Sequence, residues 1–122
     1  MCIFCKLKEE GKIIYENAYV YALYDQFPVS KGHALIITKR HTENFFTATN
    51  EEKKAMDQAI LSLKKKHDAM YQPDGYNIGI NNGKAAGQTI FHLHVHLIPR
   101  YLGDDEKPEG GVRGVIPEKK GY

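Results

Sequence analysis

The sequence has little net charge and no long apolar run, and these absences exclude several classes of protein. Its 17 Lys and Arg residues face 15 Asp and Glu residues, which gives a formal net charge of +2 over 122 residues. Proteins that bind nucleic acids usually carry a basic patch or stripe, so we expect no nucleic acid polymer as a partner. No apolar stretch approaches the roughly 20 residues of a membrane span, so we expect no membrane partner either.

The N-terminus also lacks the basic segment and hydrophobic core of a secretory signal. With 26% charged and 42% hydrophobic residues, the composition is that of an ordinary globular protein. The length fits a single domain, and we expect a soluble, cytoplasmic protein. Two features are unusual: six histidines, and both cysteines within the first five residues.

Short runs rich in β-branched and aromatic residues predict strands on both sides of one helix. The connections are too short for successive parallel crossovers, so the pattern favours an α+β domain with an antiparallel sheet of about five strands. No repeat or second domain is evident. The predicted strands span residues 12–16, 19–24, 34–37, 76–80 and 89–98.

A long amphipathic helix is predicted over residues 50–71. Its apolar positions recur at spacings of three and four, which places them on one helical face. Thr49 and Glu52 stand in capping-box relation at its start, with Asn50 as a rival N-cap. The predicted apolar face comprises Met56, Ile60, Leu63, His67 and Met70.

The most informative segment is the histidine-rich strand at 89–98. Residues two apart in a strand point to the same face, so His92, His94 and His96 form one column. The intervening apolar residues then face the core. Three interpretations remain open: a structural row, a catalytic zinc site with an open position, or a phosphate site in which one imidazole attacks and its neighbours hydrogen-bond the phosphoryl oxygens.

The same segment resembles a known family. Residues 92–98 match the His-φ-His-φ-His-φ-φ signature of the histidine triad (HIT) superfamily of nucleotide hydrolases and transferases, where φ is apolar. The resemblance covers about residues 2–101 and departs at Thr38, where many members have proline. Supporting matches are Ile3, Phe4, Asn81 and the segments 25–28, 32–41 and 87–89.

The resemblance implies a HIT-like fold with one long helix and a short helical turn. Residues 1–103 would form the HIT domain, and residues 104–122 an irregular tail that could contribute to the active-site cleft. It also implies a homodimer in which the helix and one strand of each chain pack so that two sheets become continuous.

A mechanism follows from the resemblance. His94 would attack the α-phosphorus of a nucleotide to form a nucleotidyl-histidine, which water resolves, with no catalytic cofactor. His96 would hydrogen-bond the α-phosphate and the departing atom, while His92 and His33 would help position the ring. The residues expected to contact the substrate are Asn81, Gln88 and Thr89 at the phosphate, Asp25 at the ribose hydroxyls, and Ile3, Phe4 and Phe27 around the base.

Cys2 and Cys5 are ambiguous on their own. A structural disulfide is not expected in an unexported chain, and a redox pair would be expected near a βαβ pattern, which is absent. A closed zinc site needs four ligands, and His41 and His92 could complete a Cys2His2 set that resembles some bacterial members of the family. Two free buried thiols are the alternative.

The choice of reaction stays open between two branches of the family. The segment 98–101 and the tail residues 110–117 resemble the branch that hydrolyses dinucleoside polyphosphates such as diadenosine polyphosphates. Arg100, Arg113 and Lys119 could then bind the outer phosphates, or form a solvated tail. The alternatives are a purine nucleoside phosphoramidase, which cleaves P–N bonds, and a nucleotide-binding signalling module with slow turnover.

Overall fold

Five strands and two α-helices make up the regular structure. The computed structural model describes residues 2–122. The helices are α1 (Ile3–Glu9) and α2 (Asn50–Tyr71), and the strands are β1 (Tyr15–Glu16), β2 (Val20–Tyr24), β3 (Ala34–Thr38), β4 (Gly75–Gly79) and β5 (His94–Arg100). Short 3-10 turns span Phe45–Thr47, Lys84–Ala86, Gly111–Val115 and Pro117–Lys119.

The strands form one antiparallel sheet in the order β1-β2-β3-β5-β4. This confirms the predicted α+β class and the five-stranded sheet. Strand β5 lies between β3 and β4. His96 of β5 is paired with Leu35 of β3 on one side and with Gly79 of β4 on the other. The histidine strand is therefore held from both sides, which fixes the direction of its side chains.

Each face of the sheet is covered by a helix. On one face, Leu93, Val95 and Leu97 pack with Leu63 and other buried residues of α2. On the opposite face, residues of α1 pack against β2 and β3 in a second cluster. The second cluster consists of Phe4, Leu7, Tyr21, Leu23, Leu35 and Ile37. Helix α1 was not predicted from the sequence, although Ile3, Phe4 and Leu7 have helical spacing.

Helix α2 begins and ends where the sequence predicts. Thr49 is the N-cap and exchanges both capping-box hydrogen bonds with Glu52, so Asn50 is the first helical residue and not the cap. The predicted apolar face is wrong at its end, because Met70 is 54% exposed. The face ends instead at buried His67, whose ring nitrogens contact the carbonyl oxygens of Leu63 and Gly32 at 2.8 and 2.9 Å.

The predicted strand at 89–98 is wrong in its first half, because β5 begins only at His94. Pairing with β3 stops at Ile37 opposite His94. Before that point Leu93 N–H donates to the Thr42 carbonyl at 2.7 Å instead of a sheet partner. His92 therefore lies on a connecting segment just ahead of the strand, which separates its role from those of His94 and His96.

Glu52 is a buried carboxylate that anchors the segment before α2. Arg40 donates to it through Nε and a terminal nitrogen at 3.2 and 2.7 Å, and Thr49 N–H donates at 2.8 Å. Burial opposes its ionisation, but the hydrogen bonds from Arg40 and Thr49 outweigh burial and lower the pKa of Glu52. The bonded carboxylate thus fixes the loop that carries His41.

We expect Glu52→Gln to lower the free energy of unfolding by about 2 kcal/mol near neutral pH, because a charged hydrogen bond and a cap are weakened. A lowered folded-state pKa means that the carboxylate stabilises the fold above its unfolded-state pKa of about 4.3 and that this contribution is lost as the pH falls through the folded-state pKa. In urea titrations, the difference between wild type and variant should therefore shrink in acid. A pH-independent difference would contradict this assignment.

The tail after residue 103 contains no α-helix or strand, but its 3-10 turn at Gly111–Val115 packs against β4, and the turn at Pro117–Lys119 packs against that first turn. Arg113 donates to the Lys119 carbonyl at 3.0 Å, and Lys120 donates to Asp105 at 3.0 Å, so the tail is internally tied. Within residues 2–122, no helix has both the length and the apolar character needed to cross a membrane.

Candidate active site

The backbone around His94 determines which of its ring nitrogens is free. Its Nδ1 lies 2.8 Å from the His92 carbonyl oxygen, and because a carbonyl only accepts, Nδ1 carries the hydrogen. The lone pair is then on Nε2, and the ring borders a cavity with Phe4 packed edge-on at 4.8 Å between ring centroids. Burial lowers the pKa of His94, which favours the neutral form that a nucleophile requires.

A second chain of hydrogen bonds fixes the tautomer of His96. Val29 N–H donates to His33 Nδ1 at 3.0 Å, so the hydrogen of neutral His33 is on Nε2. That Nε2 lies 2.9 Å from His96 Nδ1, which accepts, and His96 therefore presents an Nε2–H. Burial, with smaller contributions from His94 and His33, lowers the pKa of His96 to about 4. His96 is thus a neutral hydrogen-bond donor beside the His94 lone pair.

Asp25, His33 and His96 bring three metal-ligand atoms within 4.8 Å of one another, but the hydrogen bonds argue against a metal there. Metal-bound histidines usually donate their other ring N–H to a neighbour. His33 Nδ1 instead accepts from Val29 N–H, so its Nε2 holds a hydrogen and has no lone pair for a cation. Asp25, at 3.4 Å from that Nε2, faces the hydrogen.

The cavity beside His94 has a volume of about 310 Å³. We call it the nucleoside cavity because the family resemblance predicts that a nucleoside binds beside this histidine. Its lining combines apolar side chains, among them buried Phe4, Leu23 and Leu35, with polar ones. All the residues predicted to contact the substrate border it. They are Ile3, Phe4, Phe27, Asp25, Asn81, Gln88 and Thr89, with His94 and His96 at the centre.

Two of these residues, Gln88 and Asp25, also make structural hydrogen bonds that were not predicted from the sequence. The Gln88 side chain is buried, accepts from Gly83 N–H at 2.8 Å, and donates to the carbonyls of Glu43 and Ile90 at 2.7 and 3.2 Å. Its amide hydrogens are thus used to hold the loop, and we assign it to positioning and not to phosphate binding. Asp25 accepts from Phe27 N–H at 2.8 Å, which shapes the turn after β2.

Cys2, Cys5, His41 and His92 form a separate cluster behind the triad. The shortest separations between these ligand atoms are 3.2 Å from Cys2 Sγ to Cys5 Sγ and to His92 Nδ1, 3.7 Å from Cys5 Sγ to His92 Nδ1, and 3.8 Å from Cys5 Sγ to His41 Nδ1. All four ligand atoms lie within 4.8 Å of one another. A tetrahedral zinc with bonds of about 2.0–2.3 Å requires ligand separations of about 3.3–3.8 Å.

His92 is arranged as a metal ligand. Its Nε2 lies 2.7 Å from the Thr38 carbonyl oxygen, so Nε2 carries the hydrogen and Nδ1 offers its lone pair to the thiols. This is the second contact typical of metal-bound histidine, and it is the reverse of the arrangement at His33. The imidazole of His92 thus faces the cysteines, and His92 contacts the His94 ring only through its backbone carbonyl.

The cysteine cluster and the nucleoside cavity share helix α1. Cys2 caps the helix and accepts from Cys5 N–H, while Ile3, Phe4 and Leu7 of the same helix border the cavity. Tyr21 Oη also donates to the Phe4 carbonyl at 2.9 Å. An interaction that fixes the position of Cys2 and Cys5 therefore also fixes helix α1, which forms one wall of the cavity.

The cations predicted to bind outer phosphates are already engaged. Arg100 donates to Asp104 through Nε and a terminal nitrogen, both at 2.8 Å, and to Asn77 at 2.7 Å. Arg113 donates to the backbone carbonyls of Lys119 and Lys120. The expectation that Arg100 and Arg113 reach toward a polyphosphate is therefore not met, because their side chains bind within the tail and its neighbouring strand. The structure gives no contact that assigns Lys119 to phosphate.

Comparison with known proteins supports this geometry. A family model described as the HIT domain matches residues 6–103. Adenosine 5'-monophosphoramidase hnt1 of Schizosaccharomyces pombe is 40% identical over 103 residues, covering 81% of this chain and 74% of that protein. Adenylylsulfatase HINT3 of Arabidopsis thaliana is 35% identical over 102 residues, covering 81% of this chain and 52% of that protein.

Solved structures agree with the fold. A HIT family protein from Bacillus anthracis superposes with a TM-score of 0.79 at 39% identity, covering 85% of this chain and 76% of that one. A histidine triad family protein from Mycobacterium smegmatis, described as zinc-bound, superposes with a TM-score of 0.77 at 34% identity, covering 85% and 78%.

Proposed function

The chain belongs to the HIT domain family, and from that premise we propose that it hydrolyses nucleotide conjugates at the α-phosphorus through a nucleotidyl bond to His94. The observation that carries the proposal is the pair of fixed tautomers, with a free Nε2 lone pair on His94 and an Nε2–H on His96 in one cavity. A nucleophile and a donor for the departing atom are the two groups that phosphoryl substitution needs.

The substrate would place its nucleoside in the nucleoside cavity. The base would contact Ile3 and Phe4, and the ribose hydroxyls would donate to Asp25, whose carboxylate has acceptor sites beyond its bond to Phe27 N–H. His94 Nε2 then attacks phosphorus, and the departing group leaves with its electron pair while it accepts a hydrogen bond from His96 Nε2–H. The departing group takes a proton from the incoming water molecule. The remaining hydroxide attacks the nucleotidyl-histidine in a second step, which releases a nucleoside monophosphate and restores neutral His94.

Diadenosine polyphosphates and nucleoside phosphoramidates are the two candidate substrate classes. The first follows from the resemblance of residues 98–101 and 110–117, and the second from the phosphoramidase named above. To test the function, we would incubate the protein with diadenosine tetraphosphate or with adenosine 5'-phosphoramidate and measure release of adenosine monophosphate. Turnover of at least one compound is expected. Tight nucleotide binding without turnover of either would identify a sensor and contradict the proposal.

We also propose that Cys2, Cys5, His41 and His92 hold a structural zinc ion. Support comes from the ligand separations and from the Nδ1 lone pair of His92. The zinc-bound M. smegmatis structure is consistent with this proposal. Such an ion would tie α1 to the sheet and would take no part in the reaction.

A homodimer is proposed through strand β4. The sheet order leaves β4 at an edge with one side of its backbone unpaired, and two such edges can pair to make a continuous sheet. Sedimentation equilibrium should give twice the chain mass of 13.9 kDa, and a monomer at micromolar concentration would contradict this arrangement.

A further inference from the structure

A second cavity opens on the other side of His96. It has a volume of about 440 Å³, and we call it the tail cavity because Gly111–Val115 form one wall. His96 and Asn81 border both cavities. Because His96 is the donor for the departing atom in the proposed function, on which this inference rests, the tail cavity lies where the leaving group must go.

The walls of the tail cavity are rich in apolar side chains. Ile98 lies on β5, Val29 on the loop before β3, and Val112 and Val115 on the tail. Val29, Val112 and Val115 are 72%, 65% and 79% exposed. Three nearly uncovered valines around one opening leave apolar surface that a ligand of the same character would bury.

The tail cavity offers no free positive charge to a polyphosphate. Arg100 is the one Lys or Arg among the described residues that border it. Its guanidinium is neutralised by the bidentate contact with Asp104, and Asn77 occupies another nitrogen. The hydrogen bonds from Arg100 lower the pKa of Asp104 to about 2, so the pair stays ionised at neutral pH. His33 and His96, the other titratable groups that border it, are neutral.

We propose that the tail cavity selects the leaving group, and that it favours uncharged apolar groups over anionic polyphosphates. Val112 and Val115 are the residues that supply this preference. Asp104 supplies the discrimination against anions, because it neutralises the one cation that an outer phosphate would meet. The tail beyond the triad thus acts as a specificity element for the reaction at His94.

The first test compares leaving groups of increasing apolar size. We would measure kcat/KM for adenosine monophosphate N-alkyl amides from methyl to hexyl, with diadenosine tetraphosphate in parallel. Each methylene that enters the cavity should raise kcat/KM by about fourfold, as expected for burial of a CH₂ group. A flat series, or diadenosine tetraphosphate exceeding the hexyl compound tenfold, would overturn the proposal.

Variants locate the preference in the tail. The double variant Val112→Ser, Val115→Ser should flatten the dependence of kcat/KM on alkyl length. Leu102→Ser is the matched control, because Leu102 is an 88% exposed apolar residue that does not border the cavity. The control should keep the wild-type dependence. Equal effects of the double variant and Leu102→Ser would contradict the assignment.

Asp104→Asn tests the neutralised cation separately. The variant should raise kcat/KM for diadenosine tetraphosphate by about tenfold or more, because the charge of Arg100 is no longer neutralised and can attract a phosphate. The dependence of kcat/KM on alkyl length should stay unchanged. No gain for the polyphosphate in a variant with wild-type circular dichroism would overturn this part.

Binding measurements test the role of the tail cavity even if the protein turns over none of these compounds. In the variant His94→Ala, dissociation constants for the alkyl amides should still fall with chain length. If wild type hydrolyses no compound but affinity rises with alkyl length, the proposed function fails and the cavity assignment stands. If hydrolysis occurs with neither rate nor affinity depending on length, the proposed function stands and the cavity assignment fails.

Discussion

Replacing His94 with alanine is expected to reduce kcat by about 10⁴-fold, because the nucleophile is removed and no neighbouring group can substitute for it. His96 cannot replace it, since its Nδ1 accepts from His33 and its Nε2 carries a hydrogen. His92 cannot replace it either, because its Nδ1 faces the cysteines. The loss should be seen in steady-state assays with the better of the two candidate substrates.

The fold of the His94→Ala variant must be shown to be intact. Its circular dichroism, melting temperature and zinc content should match those of wild type. Phe91→Ala is a suitable comparison, because Phe91 lies three residues away, is 43% exposed and does not border the nucleoside cavity. It should keep activity within about threefold. A His94→Ala protein that keeps a tenth of wild-type kcat would rule out the nucleophile assignment.

Removing the proposed zinc ion from the cysteine cluster is expected to weaken nucleotide binding by tenfold or more, although none of the four cluster residues borders the nucleoside cavity. Cys2 caps helix α1 and Cys5 lies on it, together with Ile3 and Phe4, which border the nucleoside cavity. Structural zinc contributes directly to folding free energy, so its loss should release α1 from the sheet. Chelation and Cys5→Ser should both raise the dissociation constant for adenosine monophosphate and lower the melting temperature.

The zinc proposal has a direct measurement and a control. Protein purified without added metal should contain about one zinc per chain, and Cys5→Ser much less. Glu9→Ser changes an exposed residue of α1 that is outside the cluster, and it should leave zinc content and nucleotide affinity unchanged. Zinc well below one equivalent in wild type, or unchanged nucleotide affinity after complete chelation, would contradict the coupling.

The alternation of residues 92–97 was enough to predict which side chains of the histidine strand face the core. Leu93, Val95 and Leu97 do pack beneath α2, because side chains two apart share a face even where regular pairing stops. The different roles proposed for His92, in zinc binding, and for His94, in nucleophilic attack, depend on where β3 ends and on which carbonyl oxygens lie near each ring. Those contacts involve Thr38 and His92 itself, and no periodicity in the sequence reports them.

Long-range hydrogen bonds made by single polar groups also could not be predicted from the sequence. Val29 N–H sets the tautomer of His33 through a backbone donor, which residue identity does not reveal. Gln88 matches the family pattern, yet its side chain is used by Gly83, Glu43 and Ile90. Arg100 was a candidate for binding outer phosphates, with a solvated tail as the alternative, and Asp104, a carboxylate only four residues along the chain, already binds it. Short irregular segments bring these partners together, and such segments have weak sequence signals.

The stereochemical course at phosphorus tests the nucleotidyl-histidine most directly. A substrate with a chiral α-phosphorothioate would be hydrolysed in isotopically labelled water, and the configuration of the product would be determined. Attack by His94 followed by attack of water inverts the configuration twice, so the account predicts net retention. Net inversion would show that water attacks the substrate in a single step, and it would contradict the role assigned to His94.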